Sequence, residues 1–208
     1  MPIKDCQTEK LIIDTAMNVF FAEGRLYATT QDIADAAGVN RTLINYYFRS
    51  KDELLAKVIQ KAHEQFVSNS DAILISDLPF RKKTEQFMDD FMDKLLRFPY
   101  LESFLTVDII QQRLSKNSVD RIPKESPQPI LRYLKEIENE MLAGTIPQSN
   151  PVHFMINLVS LMIYPIIMRP LQMRLLNISN TEYDQVLTER KQIILDLLFP
   201  EITNATTK

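Results

Sequence analysis

The chain has 208 residues, of which 45% are hydrophobic and 25% are charged, and its formal net charge is −3. This apolar share is ample for a core, and the length suits one medium domain or a small domain joined to a larger one. The single cysteine, Cys6, excludes an intrachain disulfide and fits a reducing compartment. Two histidines and one cysteine cannot by themselves supply a tetrahedral zinc site.

Helix breakers are used unevenly in this sequence, which has three glycines and eleven prolines. Sparse glycine with prolines gathered at intervals predicts long helices separated by breaks. No segment alternates apolar and polar residues well enough to predict a strand, so the predicted fold is all-α with about nine helices. The predicted domains are residues 1–50, which hold three helices, and residues 51–208, which form a larger helical body.

The first predicted helix runs from about Thr8 to Ala22, and Gly24 closes it. Apolar residues repeat along it at the three-to-four-residue spacing of one helix face. This predicted buried stripe consists of Ile12, Ala16, Val19 and Phe20.

A second, short helix is predicted after Thr29, a suitable N-cap because Asp32 stands three residues later and can close a capping box. Its small and apolar residues share one face: Ile33, Ala34 and Ala37. Gly38 follows, where a tight turn can require a positive φ that suits a residue without Cβ. A short helix, a glycine turn and another short helix in this order predict a helix-turn-helix.

The third predicted helix is capped by Asn40 and carries several polar and aromatic residues. Its predicted apolar anchors are Leu43, Ile44 and Phe48. The residues left to face outward are Arg41, Thr42, Asn45, Tyr46 and Tyr47. An exposed helix with such side chains suits a DNA major groove.

The same segment matches the pattern Thr30-x-x-Ile33-Ala34-x-x-Ala37-Gly38-Val39, then Tyr46-x-Phe48-x-x-Lys51-x-x-Leu54. This pattern resembles the DNA-binding domain of the TetR-type transcriptional regulators, and it covers roughly the first quarter of the chain. Two positions depart from it, because many members have tyrosine where this chain has Asn45 and histidine where it has Tyr47. Both residues can still hydrogen-bond a phosphate. Packing of a small three-helix domain is the alternative interpretation.

The resemblance implies a dimeric, ligand-responsive regulator that binds double-stranded operator DNA, and a repressor is favoured over an activator. The residues that it implies as phosphate contacts are Thr30, Tyr46, Tyr47 and Lys51. The better candidates for the groove are Gln31, Arg41, Thr42 and Asn45. Leu43 is available to touch a thymine methyl or to stay buried.

The net negative charge is compatible with DNA binding once it is divided along the chain. Residues 1–63 contain eight basic and eight acidic residues, so the excess of acidic residues lies C-terminal to them. Residues 38–61 contain five basic residues against two acidic ones. This modest local excess predicts a specific reader with few phosphate contacts.

In the body, Ser50 with Glu53 makes a second possible capping box, which starts a long helix toward Phe66. Leu78-Pro79 breaks the chain, and Asn150-Pro151 is an N-cap and first-turn pair that opens a helix to about residue 168. The other predicted elements are a helix ending at Pro99, a helix over 101–114, a loop over 115–129, a helix over 130–142, and a last helix from near Ser179 to Phe199.

Flexible and aromatic residues in the body can fill a core or line an adaptable pocket. The predicted pocket for an unidentified apolar or amphipathic effector is lined by Phe91, Met92, Phe104, Met155 and Tyr164. The last two long helices carry apolar stripes on two sides, which predicts a homodimer with a four-helix interface.

Sequence motifs for catalysis are lacking, since the chain has no glycine-rich phosphate loop and no G-x-S-x-G elbow. No enzyme and no cofactor are therefore predicted. The longest apolar run, 154–168, is shorter than a bilayer span, and no signal peptide is visible, so a cytoplasmic protein without a membrane partner is predicted. The alternative function is a small helical ligand-binding or carrier protein that keeps the helix-turn-helix as scaffold.

Overall fold

The structure of the protein is a computed structural model that describes residues 6–104 and 128–200, without the side chains of residues 63 and 66–68. Every regular element in those ranges is helical, which confirms the all-α prediction. The α-helices are α1 (Cys6–Met17), α2 (Thr30–Ala37), α3 (Arg41–Tyr47), α4 (Lys51–Leu74), α5 (Phe80–Arg97), α6 (Gln128–Ala143), α7 (Pro151–Ile167), α8 (Arg169–Leu176) and α9 (Asn180–Leu198).

The structure differs from the predicted elements at several places. Helix α4 continues to Leu74, well past Phe66. Helix α8 was not predicted, because none of its residues is buried and no apolar stripe marks it. Residues 128 and 129, assigned to a loop, already belong to α6. The predicted helix over 101–114 is helical over 101–104, and the rest of it and residues 115–127 lie outside the described residues.

The chain divides into two compact units. The first contains the described residues 6–67 and 95–104, and the second contains the described residues 68–94 and 128–200. Helices α4 and α5 each contribute residues to both units. All three helices of the predicted helix-turn-helix domain belong to the first unit.

A π-helical turn over Asn18–Ala22 ends the first helix, so the α-helix itself stops at Met17. The wider turn buries two consecutive rings completely, those of Phe20 and Phe21. The predicted stripe of this helix is confirmed, since each of its four residues is at most 1% exposed. The ring of Phe104 packs against both phenylalanines, with centroids 6.2 and 5.3 Å away.

Residues that follow α5 complete this core. The backbone N–H of Tyr100 donates to the carbonyl oxygen of Phe21 at 3.1 Å. The Tyr100 ring lies over Gly24, where an added Cβ would stand 3.0 Å from three ring carbons. Gly24 also has φ +71°, so both the backbone and the ring favour glycine at this position.

The second unit has its own core, formed mainly by α6, α7 and α9. Aromatic rings cluster around Phe80 in this core. The centroid of the Phe80 ring lies 5.5 to 5.7 Å from the ring centroids of Tyr133, Phe154 and Phe199. The Tyr183 hydroxyl donates to the carbonyl oxygen of Pro165 at 2.8 Å, which connects α9 to α7.

Two polar pairs, one buried and one partly buried, join α5 to α6 in this unit. The Thr84 hydroxyl donates to the Phe80 carbonyl at 2.9 Å, so the Tyr133 hydroxyl is the donor in its 2.6 Å contact with Thr84 Oγ1. Burial raises the pKa of Tyr133, which keeps this donor protonated. The ammonium of Lys83, only 2% exposed, lies 2.6 and 2.8 Å from the two carboxylate oxygens of Glu136.

Within the described residues, no single helix has both the length and the apolar character needed to cross a membrane. Helices α7 and α8 meet the criterion only when they are taken together, and the chain bends by 70° between them.

Candidate nucleic-acid interface

The start of α2 is fixed by the predicted capping box. Thr29 Oγ1 accepts from the Asp32 N–H at 3.2 Å, and the Asp32 carboxylate accepts from the Thr29 N–H at 2.7 Å. The Thr29 hydroxyl also donates to Asp32 at 2.6 Å, and the Arg25 guanidinium lies 2.9 Å from the other carboxylate oxygen. These contacts hold the first helix of the helix-turn-helix in place.

The hydrogen bonds from the side chain and backbone of Thr29, followed by the charge of Arg25, lower the pKa of Asp32 from its ordinary value of 3.8. A carboxylate with a lowered pKa in the folded state stabilises the protein above its unfolded pKa, and this contribution is lost as the pH falls through the folded value. Asp32→Asn should therefore destabilise the protein at neutral pH. Thermal unfolding of both proteins between pH 7 and about pH 3 should show the difference shrinking below about pH 4. A difference that is constant over this range would contradict the assignment.

The turn between α2 and α3 follows the sequence prediction. Gly38 has φ +66°, and its N–H donates to the carbonyl oxygens of Ala34 and Asp35. Asn40 then caps α3, because its Oδ1 accepts from the Thr42 N–H at 2.9 Å. The Thr42 hydroxyl donates to the same oxygen.

Two residues anchor α3 to the core of the first unit: Ile44 is fully buried and Phe48 is 3% exposed. The prediction that Leu43 is a third anchor is wrong, since its side chain is 38% exposed. A helix of seven residues has room for one narrow buried stripe, and the pair at positions i and i+4 already fills it.

The structure exposes all four predicted groove residues, three of which lie on α3: Arg41, Thr42 and Asn45. Gln31 is exposed on α2, where its Nε2 donates to Asp35 Oδ1 at 2.7 Å. Four candidate residues of the same helix-turn-helix therefore share the surface of the first unit.

The predicted phosphate contacts are less uniform. Tyr46 is 44% exposed, whereas Thr30, Tyr47 and Lys51 are half-buried. The Tyr47 ring packs edge-on against the Tyr46 ring, with centroids 5.3 Å apart. The Lys51 ammonium lies 5.9 Å from the centre of the Phe20 ring, so this side chain also covers the core.

Two further exposed residues of the first unit were not predicted as DNA contacts. Tyr27 is 72% exposed just before the capping box, and Arg49 is exposed directly after α3. The charge of Arg49 was visible in the sequence, but its place in the segment between α3 and α4 gave no pattern from which a contact could be assigned.

The predicted effector residues are distributed over both units. Phe104 belongs to the first unit, in the cluster with Phe20 and Phe21. In the second unit the Phe91 ring stacks on Phe87 at 5.5 Å, and Tyr164 is 56% exposed. Met92 and Met155 are half-buried in that unit. A cavity of about 430 Å³ in the second unit is lined by other residues: Pro79, Phe80, Arg81, Glu140, Thr145, Phe199 and Pro200.

Helices α7 and α9 leave apolar side chains uncovered in the second unit. Their other faces fill the core, where Leu187, Ile194 and Leu198 are at most 7% exposed. The uncovered residues, each 43–60% exposed, are Val152, Ile156 and Tyr164 on α7 and Val186, Ile193 and Leu197 on α9. Each of these two helices therefore buries one apolar face and leaves further apolar side chains on the surface.

Comparisons with known proteins agree with this geometry. A model of the family described as "Bacterial regulatory proteins, tetR family" matches residues 12–58. These residues run from within α1, through α2 and α3, to within α4. YhgD of Bacillus subtilis (strain 168), an uncharacterized HTH-type transcriptional regulator, is 24% identical over 146 residues, which cover 69% of this chain and 74% of that protein.

Solved structures share the fold over nearly the whole chain. HlyIIR, a hemolysin II transcriptional regulator, has a TM-score of 0.59 and 17% identity, covering 93% of this chain and 97% of its own. A TetR family transcription regulator from Marinobacter aquaeolei VT8 has a TM-score of 0.60 and 15% identity, covering 95% of this chain and 98% of its own.

An N-terminal helix-turn-helix with an exposed second helix, followed by a helical body, defines a DNA-binding protein of the helix-turn-helix class. The family match and the curated relative specify this class further. Residues 12–58 match the DNA-binding domain model of the TetR family, and the chain is similar to transcriptional regulators of the helix-turn-helix type.

Proposed function

We propose that this chain is a homodimeric repressor that reads a specific double-stranded operator and releases it when a small molecule binds the helical body. The observation that carries the proposal is the exposed face of α3, which presents Arg41, Thr42 and Asn45 while Ile44 and Phe48 hold the helix in the core. A major groove admits an α-helix, and arginine and asparagine suit the edges of guanine and adenine.

Around this helix, side chains of the same unit hold the phosphates. Tyr46 and Tyr47 donate from α3, Thr30 from the start of α2 and Lys51 from the start of α4. Arg49 joins this set because it is exposed between α3 and α4. Such contacts fix the register of the protein on the duplex but carry no sequence information themselves.

The dimer is supported by the uncovered apolar side chains of α7 and α9. Two such helices from each subunit form a four-helix interface that removes these side chains from water. A dimer also suits DNA reading, because two recognition helices roughly 34–36 Å apart reach successive major grooves.

The effector is an apolar or amphipathic small molecule that binds the second unit near Phe91, Met92 and Met155. Half-buried methionine and phenylalanine side chains can repack around such a molecule. Release of DNA requires that the molecule bind the DNA-incompetent state more tightly than the competent one. Mass spectrometry of small molecules released from the purified, denatured protein identifies candidates, and their effect on operator binding tests this part.

Two variants separate base reading from phosphate binding. Arg41→Ala should cost about 1–3 kcal/mol in operator affinity and relax the preference at one position. Lys51→Ala should weaken all sequences alike and flatten the dependence of log affinity on log salt by about one unit. Fluorescence anisotropy with operator and scrambled duplexes over a series of salt concentrations measures both effects.

The duplex for these measurements comes from the DNA that flanks the gene of this protein. Unchanged affinity and preference in Arg41→Ala would show that α3 is docked differently. Melting temperatures of both variants serve as the control, since the contact of Lys51 with the Phe20 ring also supports the fold. If the wild-type protein binds no duplex specifically, the alternative of a helical carrier protein gains support.

A further inference from the structure

Leu43 occupies an unusual place for a large apolar side chain. It is 38% exposed on α3, although the adjacent Ile44 is fully buried and Phe48 is 3% exposed. The core of the first unit therefore does not require it. A single exposed leucine is ordinary on a protein surface, so its meaning depends on the face of the helix where it stands.

The helical repeat defines that face. Ile44 and Phe48 set the buried direction of α3, and at 3.6 residues per turn Thr42 and Tyr46 point the opposite way. Asn45 lies on one flank of this outward face and Leu43 lies on the other. The outward surface of α3 thus has a polar flank and an apolar flank.

The Asn40 cap of α3 occupies the hydroxyl proton of Thr42, which makes the apolar flank more important for contacts with bases. The Thr42 hydroxyl donates to Asn40 Oδ1, the oxygen that also accepts the Thr42 N–H. The proton of that hydroxyl is therefore already engaged by the capping side chain of Asn40. Leu43, the third residue of the helix, stands in its first turn, and the N-terminal residues of a recognition helix are those that contact base edges.

The major groove has one prominent apolar group, the C5 methyl of thymine. Building on the proposed function, we propose that Leu43 packs against the methyl group of one thymine in each operator half-site and determines specificity at that base pair. The contact removes apolar surface of both partners from water, and it discriminates thymine from cytosine, which lacks the methyl group.

The test removes only the methyl group. An operator is first selected in vitro with the wild-type protein, and each thymine of one half-site is then replaced by deoxyuridine, which keeps its pairing and its O4 acceptor. Affinities are measured for the wild type, for Leu43→Ala and for Leu11→Ala. Leu11 is the matched control, because it is 47% exposed on α1 of the same unit. Circular dichroism confirms the fold of both variants.

We expect one deoxyuridine position to weaken wild-type binding about fourfold, the effect of about one buried methyl group, and substitution in both half-sites to weaken it about sixteenfold. Leu11→Ala should keep this sensitivity, and Leu43→Ala should lose it. A wild-type protein indifferent to every deoxyuridine, a selected half-site without thymine, or a Leu43→Ala protein with undiminished sensitivity would overturn the inference while leaving specific binding intact. If no sequence is selected at all, the proposed function fails and this inference fails with it.

Discussion

Leu197→Asp should convert the proposed dimer into a folded monomer. Leu197 is 60% exposed on α9, beside the other uncovered apolar residues of this helix. A carboxylate at this position keeps its water in a monomer, whereas a dimer would have to desolvate it without a partner. We expect the dimer to weaken at least about thirtyfold, or by about 2 kcal/mol. Light scattering over a dilution series measures the change, and circular dichroism checks the helices.

Two matched variants show whether the effect belongs to the interface. Ile194→Asp, three residues earlier on the same helix, places its charge in the core of the second unit, where Ile194 is fully buried, and should unfold the protein. Leu142→Asp adds the same charge at a leucine that is 72% exposed on α6, and it should leave the dimer unchanged. A Leu197→Asp protein that remains dimeric at micromolar concentration would place the interface elsewhere.

Glu136→Gln should destabilise the protein far more than Lys83→Met, although the two substitutions break the same ion pair. The Lys83 side chain is 2% exposed and the Glu136 side chain is 27% exposed. Removing the carboxylate leaves a buried ammonium without a counter-charge, a loss of about 3–5 kcal/mol. Removing the lysine leaves a carboxylate that still reaches water and the Arg132 guanidinium, 3.6 Å away.

Urea unfolding of both single variants and of the double variant measures these differences. The double variant Lys83→Met/Glu136→Gln should be more stable than Glu136→Gln alone, because an apolar methionine replaces the unpaired charge. Equal losses in the two single variants would mean that Lys83 gains access to water when its partner is removed.

Local signals in the sequence predicted much of the fold. Thr29, Gly38 and Asn40 define caps and a turn through contacts within five residues along the chain, and the structure has each of them as predicted. The start of the last helix at Ser179 and the N-cap at Asn150 were also predicted correctly, for the same reason. Side chains that hydrogen-bond their own neighbouring backbone need no knowledge of the tertiary fold.

Features that depend on distant partners could not be predicted in this way. Phe104 was assigned to an effector pocket because it is a large apolar residue. No local pattern in the sequence reveals that its ring packs against Phe20 and Phe21. The exposure of Leu43 follows from which neighbours fill the space under α3, which is again a tertiary property. The DNA contacts and the effector residues remain predictions that binding measurements must decide.

Opening of the π-helical turn at the end of the first helix can be measured at a residue far away in the sequence. The amide of Tyr100 is hydrogen-bonded to the carbonyl of Phe21, which that turn positions. Hydrogen–deuterium exchange at this one amide is therefore slow only while the turn is intact. The two residues are 79 positions apart in the sequence. The exchange rate of the Tyr100 amide therefore reports opening of the N-terminal π-helical turn from a distant position. An amide within the turn itself would also report fraying of the helix end.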